Sequence, residues 1–236
     1  MRSSRSAPDP LDPGPAGFAH RGLHGPGVPE NSLAAFQAAL DIGAGIECDL
    51  RLTADDQIIV FHDADARRLC ASSLKIGESN WNDVAALRVG THPIPTLENL
   101  LSLVGERVPL LLEVKVERDL NRWVPLLSRV LSGYRKFGLL SFDARLLRQA
   151  KIALPEMFRG LNLRAGRSLI ERRISVKLAD PHFLGLELAA LSDSWTVRAR
   201  ERMPVYGWTI RSAANRAQAE VHADALIWEG DGRPRN

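Results

Sequence analysis

Eight short apolar runs, each followed by a longer amphipathic stretch, leave few folds open to this chain. The runs are GFAHR, IECDL, PLLLEVK, FGLLSF, MFRGLNL, HFLGLEL, PVYGWTI and DALIW. Short apolar runs bounded by turn residues read as strands, and the stretches between them, such as SLAAFQAALDIG and DARLLRQAKIAL, carry helical spacing. Strands that alternate with helices are parallel, because a parallel pair needs a crossover of a dozen or more residues. Eight such units predict an α/β fold, a (β/α)8 TIM barrel, whose chemistry gathers at the C-terminal ends of the strands.

The chain's 236 residues, 45% hydrophobic, suit one domain. We expect a flexible Pro-, Ser- and Gly-rich arm at 1–16 and a catalytic domain at 17–236, with a small insertion before the helix TLENLLSLV. No run approaches the roughly 20 apolar residues of a membrane span, and the opening lacks the apolar core of a signal sequence. Cys48 and Cys70 are too few for a disulfide framework, so the expected location is the cytoplasm. A net charge of +3 is dispersed, with no aromatic residues threaded through a basic stripe. That pattern speaks against nucleic acid and for mild attraction of small anions.

The strands carry an unusual set of ionisable groups. In IECDL, Glu47 and Asp49 are two apart and share a face that points into the barrel, while Cys48 points away. In PLLLEVK, Glu113 and Lys115 face inward by the same parity. Carboxylates converging in a dry site repel one another and require a shared cation or proton. Arginine pairing would satisfy them, and so would a hard divalent ion; all-oxygen donors favour Mg2+ or Ca2+ over zinc. His20-Arg21 closes the first strand, where the guanidinium suits a phosphate.

The segment RLTADDQIIVFHD is too short for a crossover, so its arms form an antiparallel β-hairpin after strand 2. A two-residue turn at Asp55-Asp56 would pair Thr53 with Ile58, Arg51 with Val60 and Asp49 with His62, setting His62 beside the carboxylates.

The ordered set FAHRG, PENSLAAFQAALDIGAGIECDLRLT, VFHD, IPTLENLL, LLLEVK and YGWTI resembles the glycerophosphodiester phosphodiesterases of the phosphatidylinositol-specific phospholipase C-like superfamily. The resemblance implies metal-dependent hydrolysis of soluble glycerophosphodiesters to glycerol 3-phosphate and an alcohol, a step in lipid and glycerol metabolism. It makes Glu47, Asp49 and Glu113 the metal ligands, His20 and His62 the acid-base pair, and Arg21 and Lys115 the phosphate clamps. The attacking group is either the neighbouring glycerol hydroxyl or water. Trp208 is expected to wall the glycerol. Asn31 reads as an N-cap and Glu30 as a neighbour of the site, with His24 a loop residue and Glu187 a more distant candidate.

The C-terminal portion departs from the family pattern. Arg211 stands where the family has Asn and either adds a phosphate contact or fills the head-group space; Glu229 stands in for a missing acidic residue. Two other classes stay open: a non-catalytic barrel binding phosphate or a lipid head group, and a related phospholipase D or lyase acting on lysophospholipids. Catalysis is preferred over binding because a binding barrel needs no pair of histidines beside three carboxylates.

Overall fold

The eight expected strands close into a parallel barrel in the computed structural model, which describes residues 11–117 and 119–234. The barrel strands are β1 (Phe18–His20), β2 (Gly45–Leu52), β6 (Leu110–Val114), β7 (Phe137–Ser141), β8 (Arg159–Leu163), β9 (Phe183–Glu187), β10 (Val205–Ile210) and β11 (Ala225–Trp228), with β1 pairing both β2 and β11. The larger crossovers are α1 (Leu33–Asp41), α4 (Leu97–Val104), α5 (Leu120–Val130), α6 (Ala144–Ala153), α7 (Leu169–Ala179), α8 (Ser194–Arg200) and α9 (Ala213–His222). Local chemistry starts and stops them. Ser32 caps α1 by accepting from the Ala35 N–H, Thr96 and Asn99 form a capping box on α4, and Gly105 ends α4 in the left-handed region.

Period-two alternation divides the barrel interior into two zones. Phe18, Leu111, Leu140, Phe183, Tyr206 and Ile227 fill one zone as an inner apolar cluster. Two residues further along their strands, the same faces carry His20, Glu113, Phe142, Trp208 and Glu229 at the C-terminal mouth. The outward residues, among them Ile46, Cys48, Leu112, Leu139 and Leu226, pack against the helices. Inner glycines make room: a Cβ on Gly185 would collide with the Asn162 amide, and one on Gly160 with the Phe183 ring.

Three expectations are corrected. Of the supposed arm, residues 1–10 lie outside the described residues. Within 11–16, Leu11 is buried in the inner cluster and the Ala16 carbonyl accepts from Trp228 Nε1 at 2.7 Å, while Asp12, Gly14 and Pro15 are exposed. The N-cap of α1 is Ser32, not Asn31.

The third correction is the hairpin register. The hairpin exists between β2 and β3 (Ile58–Val60), but Arg51 opposes Ile59 and Leu50 opposes Val60, one residue away from the expected pairing. The loop has three residues, 54–56, closed by a Thr53 N–H that donates to the Gln57 carbonyl at 3.0 Å. The physical reason is the turn chemistry. A two-residue type I′ turn demands positive φ twice, whereas a three-residue loop asks it of one residue, here Asp56 at φ 71°. Phe61, not His62, therefore lies opposite Asp49, its N–H donating to the Asp49 carbonyl at 2.9 Å.

Beyond β3, the insertion holds α2 (Arg67–Cys70), α3 (Trp81–Ala85) and a small hairpin of β4 (Arg88–Val89) and β5 (His92–Pro93). It is built on its own cluster of Ile59, Phe61, Ile76, Val84 and Ile94.

Candidate active site

Strand register alone brings the acidic residues together. Glu47 lies beside His20 across β1 and β2, and Asp49 lies beside Glu113 across β2 and β6. One carboxylate oxygen from each of Glu47, Asp49 and Glu113 falls within 4.8 Å of the others, and all three residues are buried. Lys115 Nζ pairs with Asp49 Oδ1 at 2.9 Å and also with Glu113. Arg21 Nε pairs with Asp49 Oδ2 at 3.0 Å, and Asn31 Nδ2 donates to the same oxygen at 2.9 Å.

Electrostatics treats the three carboxylates unequally. Burial raises the Asp49 carboxyl, but Lys115 and Arg21 more than reverse this and hold it well below the usual carboxylate range. Burial raises Glu113, against the pull of Lys115. Glu47 is pushed up to about 7, first by burial and then by Asp49's charge. Its contacts are the Arg21 backbone N–H at 3.1 Å and His20 Nε2 at 3.9 Å, neither a full neutralising cation. Three converging oxygens, one of them without a lysine or guanidinium ion-pair partner among the described residues, fit a hard divalent cation.

Each expected histidine is held through Nδ1 by a carboxylate. His20 Nδ1 meets Glu229 Oε2 at 2.6 Å, and Glu229 in turn accepts from Arg211 Nε at 2.6 Å. His62 Nδ1 meets Asp63 Oδ1 at 2.7 Å. A carboxylate only accepts, so Nδ1 carries the proton in both rings and Nε2 is the nitrogen not held by the carboxylate. Burial lowers His20, yet Glu229 and Glu47 outweigh it and leave the imidazole above its ordinary value. His62 lies below its ordinary value because burial outweighs the charges of Asp49 and Asp63. Glu229 is held at about 2, chiefly by its hydrogen bond to His20.

The expected substrate-binding residues divide. Lys115 sits between two carboxylates at the mouth, as described. Arg21 is committed to protein partners, since Nη1 also reaches Glu30 Oε1 at 2.8 Å. Glu30 continues the chain of contacts to Arg68 at 2.8 Å, and Arg68 Nε reaches Asp63 Oδ2 at 2.7 Å. One polar network thus links Asp49 to the residue that holds His62. Trp208 meets Phe142 edge-on, with ring centroids 5.7 Å apart.

Sequence reading missed Asn162, whose Nδ2 donates to Glu113 Oε2 at 3.3 Å, although inward parity in RGLNL was available as a signal. It also missed Phe142, which shares the inward parity of Leu140, and Arg68, for which no periodic signal exists. Glu187, expected as an inward-facing, more distant candidate, lies beside Trp208 across β9 and β10 and accepts from the Ala165 N–H at 2.8 Å, which fastens the loop after β8.

A model of the glycerophosphoryl diester phosphodiesterase family matches residues 20–229. The chain belongs to this family. The expectation of a glycerophosphodiester phosphodiesterase is met by curated relatives so named. That of Caldanaerobacter subterraneus subsp. tengcongensis is 25% identical over 190 residues, covering 74% of this chain and 73% of its own. That of Bacillus altitudinis is 32% identical over 133 residues, and there the match spans about half of each protein, 52% and 53%.

Solved structures agree on the barrel. A phosphodiesterase from Oleispira antarctica, in complex with the product sn-glycerol-3-phosphate, superposes with a TM-score of 0.78 at 23% identity over 90% of this chain and 91% of that one. The Thermotoga maritima glycerophosphodiester phosphodiesterase gives 0.76 at 22% identity over 89% and 92%. Among the described residues of this family member, no helix is long and apolar enough to cross a membrane.

Proposed function

We propose that this chain hydrolyses glycerophosphodiesters, such as glycerophosphocholine or glycerophosphoethanolamine, to glycerol 3-phosphate and an alcohol, with Mg2+ or Ca2+ held by Glu47, Asp49 and Glu113. The observation that carries the reading is the pairing of that acidic cluster with two imidazoles, each fixed through Nδ1 by its own carboxylate. A bound divalent ion would supply charge stabilisation for the phosphoryl oxygens. Lys115 adds positive charge beside the same oxygens, and its place between Asp49 and Glu113 keeps it protonated. Glu229 and Asp63 fix the tautomers of His20 and His62. One Nε2 takes the proton of the attacking group, water or the neighbouring glycerol hydroxyl, and the other returns a proton to the departing alkoxide, a poor leaving group without it; where the hydroxyl attacks, water then opens the cyclic phosphate to glycerol 3-phosphate. Trp208 and Phe142 offer an apolar wall for the glycerol carbons.

The product seen with the Oleispira antarctica phosphodiesterase supports the glycerol 3-phosphate assignment. Both cysteines are free thiols, which suits a reducing compartment such as the cytoplasm. The test measures glycerol 3-phosphate release by His20→Ala and His62→Ala variants alongside calorimetric titration with the divalent ion. Each substitution is expected to lower kcat by at least about a hundredfold while ion binding persists. A His62→Ala variant with parental turnover contradicts the assignment.

A further inference from the structure

Positive charge is unevenly spread around the barrel mouth. Beside the acidic cluster a cavity of about 580 Å3 opens over the C-terminal ends of β6, β7 and β8, and its lining includes Glu113 and Lys115. Most charges around it are matched locally: Arg51 with Glu117, Lys115 with Glu113, and Arg145 with Asp143 at 2.6 Å. Arg164 and Arg167, from the segment after β8, line the same cavity; neither makes an ion pair among the described residues, and Arg167 feels the Glu171 carboxylate only at longer range. The Arg164 guanidinium lies 5.3 Å over the Phe142 ring centroid, and Arg167 Nη1 donates to Ser175 Oγ at 3.4 Å. Stacking and a hydroxyl contact orient these side chains without neutralising them.

Hydrolysis of a diester with a neutral or cationic alcohol has no use for this second centre of charge. In the hydrolase reading, the one negative phosphodiester is met by Lys115 and by the cation that Glu47, Asp49 and Glu113 would hold. Because the cavity continues from Glu113 and Lys115 to Arg164 and Arg167, a substrate anchored at the former extends toward the latter. Two guanidinium forks beside the walls of Val114, Val116 and Phe142 match carboxylate or phosphate geometry and repel a trimethylammonium group.

We propose that Arg164 and Arg167 form a second anion subsite, which selects glycerophosphodiesters whose alcohol carries its own carboxylate or phosphate monoester. The proposal rests on the hydrolase reading above. Two matched substrate pairs test it: glycerophosphoserine against glycerophosphoethanolamine, which differ by a carboxylate, and glycerophosphoinositol 4-phosphate against glycerophosphoinositol, which differ by a phosphate.

The anionic member of at least one pair is expected to show a kcat/KM higher by about tenfold or more, carried by KM. A ratio above one in both pairs marks a general anion subsite, and in one pair alone it names the group selected. In an R164A/R167A variant the ratio falls to about one, and R164K/R167K recovers part of it. Wild-type ratios at or below one in both pairs overturn the proposal, as does a preference that survives the double alanine variant.

A binding arm is independent of turnover. Calorimetry with inositol 1,4-bisphosphate and with phosphoserine, with Mg2+ present, is expected to give, for at least one of the two, a Kd at least about fivefold weaker in R164A/R167A. A Kd unchanged for both overturns the subsite. Absence of turnover on all four diesters defeats the hydrolase reading separately, and the calorimetric result still decides the subsite.

Discussion

Asn31 commits both ends of its amide to Asp49, donating from Nδ2 to Oδ2 at 2.9 Å and accepting the Asp49 N–H on Oδ1 at 3.3 Å. Its φ of 57° is one that asparagine tolerates better than most residues. Asn31→Ala is expected to cost about 1–3 kcal/mol of stability and to weaken divalent-ion affinity about tenfold, read by denaturant melts and calorimetry. Lys115→Ala removes the ammonium between two buried carboxylates. In chelated protein it should cost about 3 kcal/mol, and saturating Mg2+ should restore much of the loss while kcat/KM stays low. An equal loss of stability with and without the ion would show that no cation shares these carboxylates. Side-chain parity on a strand made Glu47, Asp49, Glu113 and Lys115 legible in the sequence. Asn31 was not, because Ser32 beside it competes for the same capping role and a positive φ leaves no mark on composition.

At the scale of elements, the hairpin from β2 to β3 carries the lesson that pairing and register are separate problems. A short connection dictated an antiparallel pair, and that pair is present. Register depended on whether Asp55-Asp56 formed a two-residue turn, and the chain relieved the strain by enlarging the loop to three. His62 still comes near Asp49, because it lies past the end of β3, where the backbone is free to turn. There Arg51 Nε donates to its carbonyl at 2.7 Å, and Asp49's charge acts on its ring. The segment following His62 is tied by Arg68, whose hydrogen bond holds Asp63 at about 2, below its ordinary 3.8. A depressed folded value stabilises above the ordinary value and loses that contribution as pH falls through the folded one. Melting temperature should therefore drop between about pH 4 and 2, and Arg68→Ala, which lets Asp63 rise, should flatten that drop. Identical profiles for the two proteins would show that the Asp63–Arg68 pair is too solvent-screened to matter.

For the whole molecule, alternation of eight apolar runs with amphipathic stretches was enough to identify the barrel, since few architectures bury eight parallel strands in 236 residues. The separate cluster under the 61–95 segment escaped, because α2, α3 and the β4–β5 hairpin are too short to show a period. The packing of Leu11 escaped too, since one leucine in a Pro-rich stretch carries no pattern. Burying three carboxylates at the end of such a barrel strains it unless a cation is shared, so a divalent ion bound to the folded chain alone should raise its melting temperature. The stabilisation should grow with ion concentration, by about 2.7 kcal/mol at a hundredfold excess over Kd.

The most direct measurement follows glycerol 3-phosphate release from glycerophosphoethanolamine by purified enzyme, first stripped of metal and then resupplied with Mg2+ or Ca2+. Chelation is expected to abolish turnover, one of the two ions to restore it, and Glu47→Gln to resist restoration at the same concentration. Full activity in exhaustively chelated enzyme would show that no metal takes part.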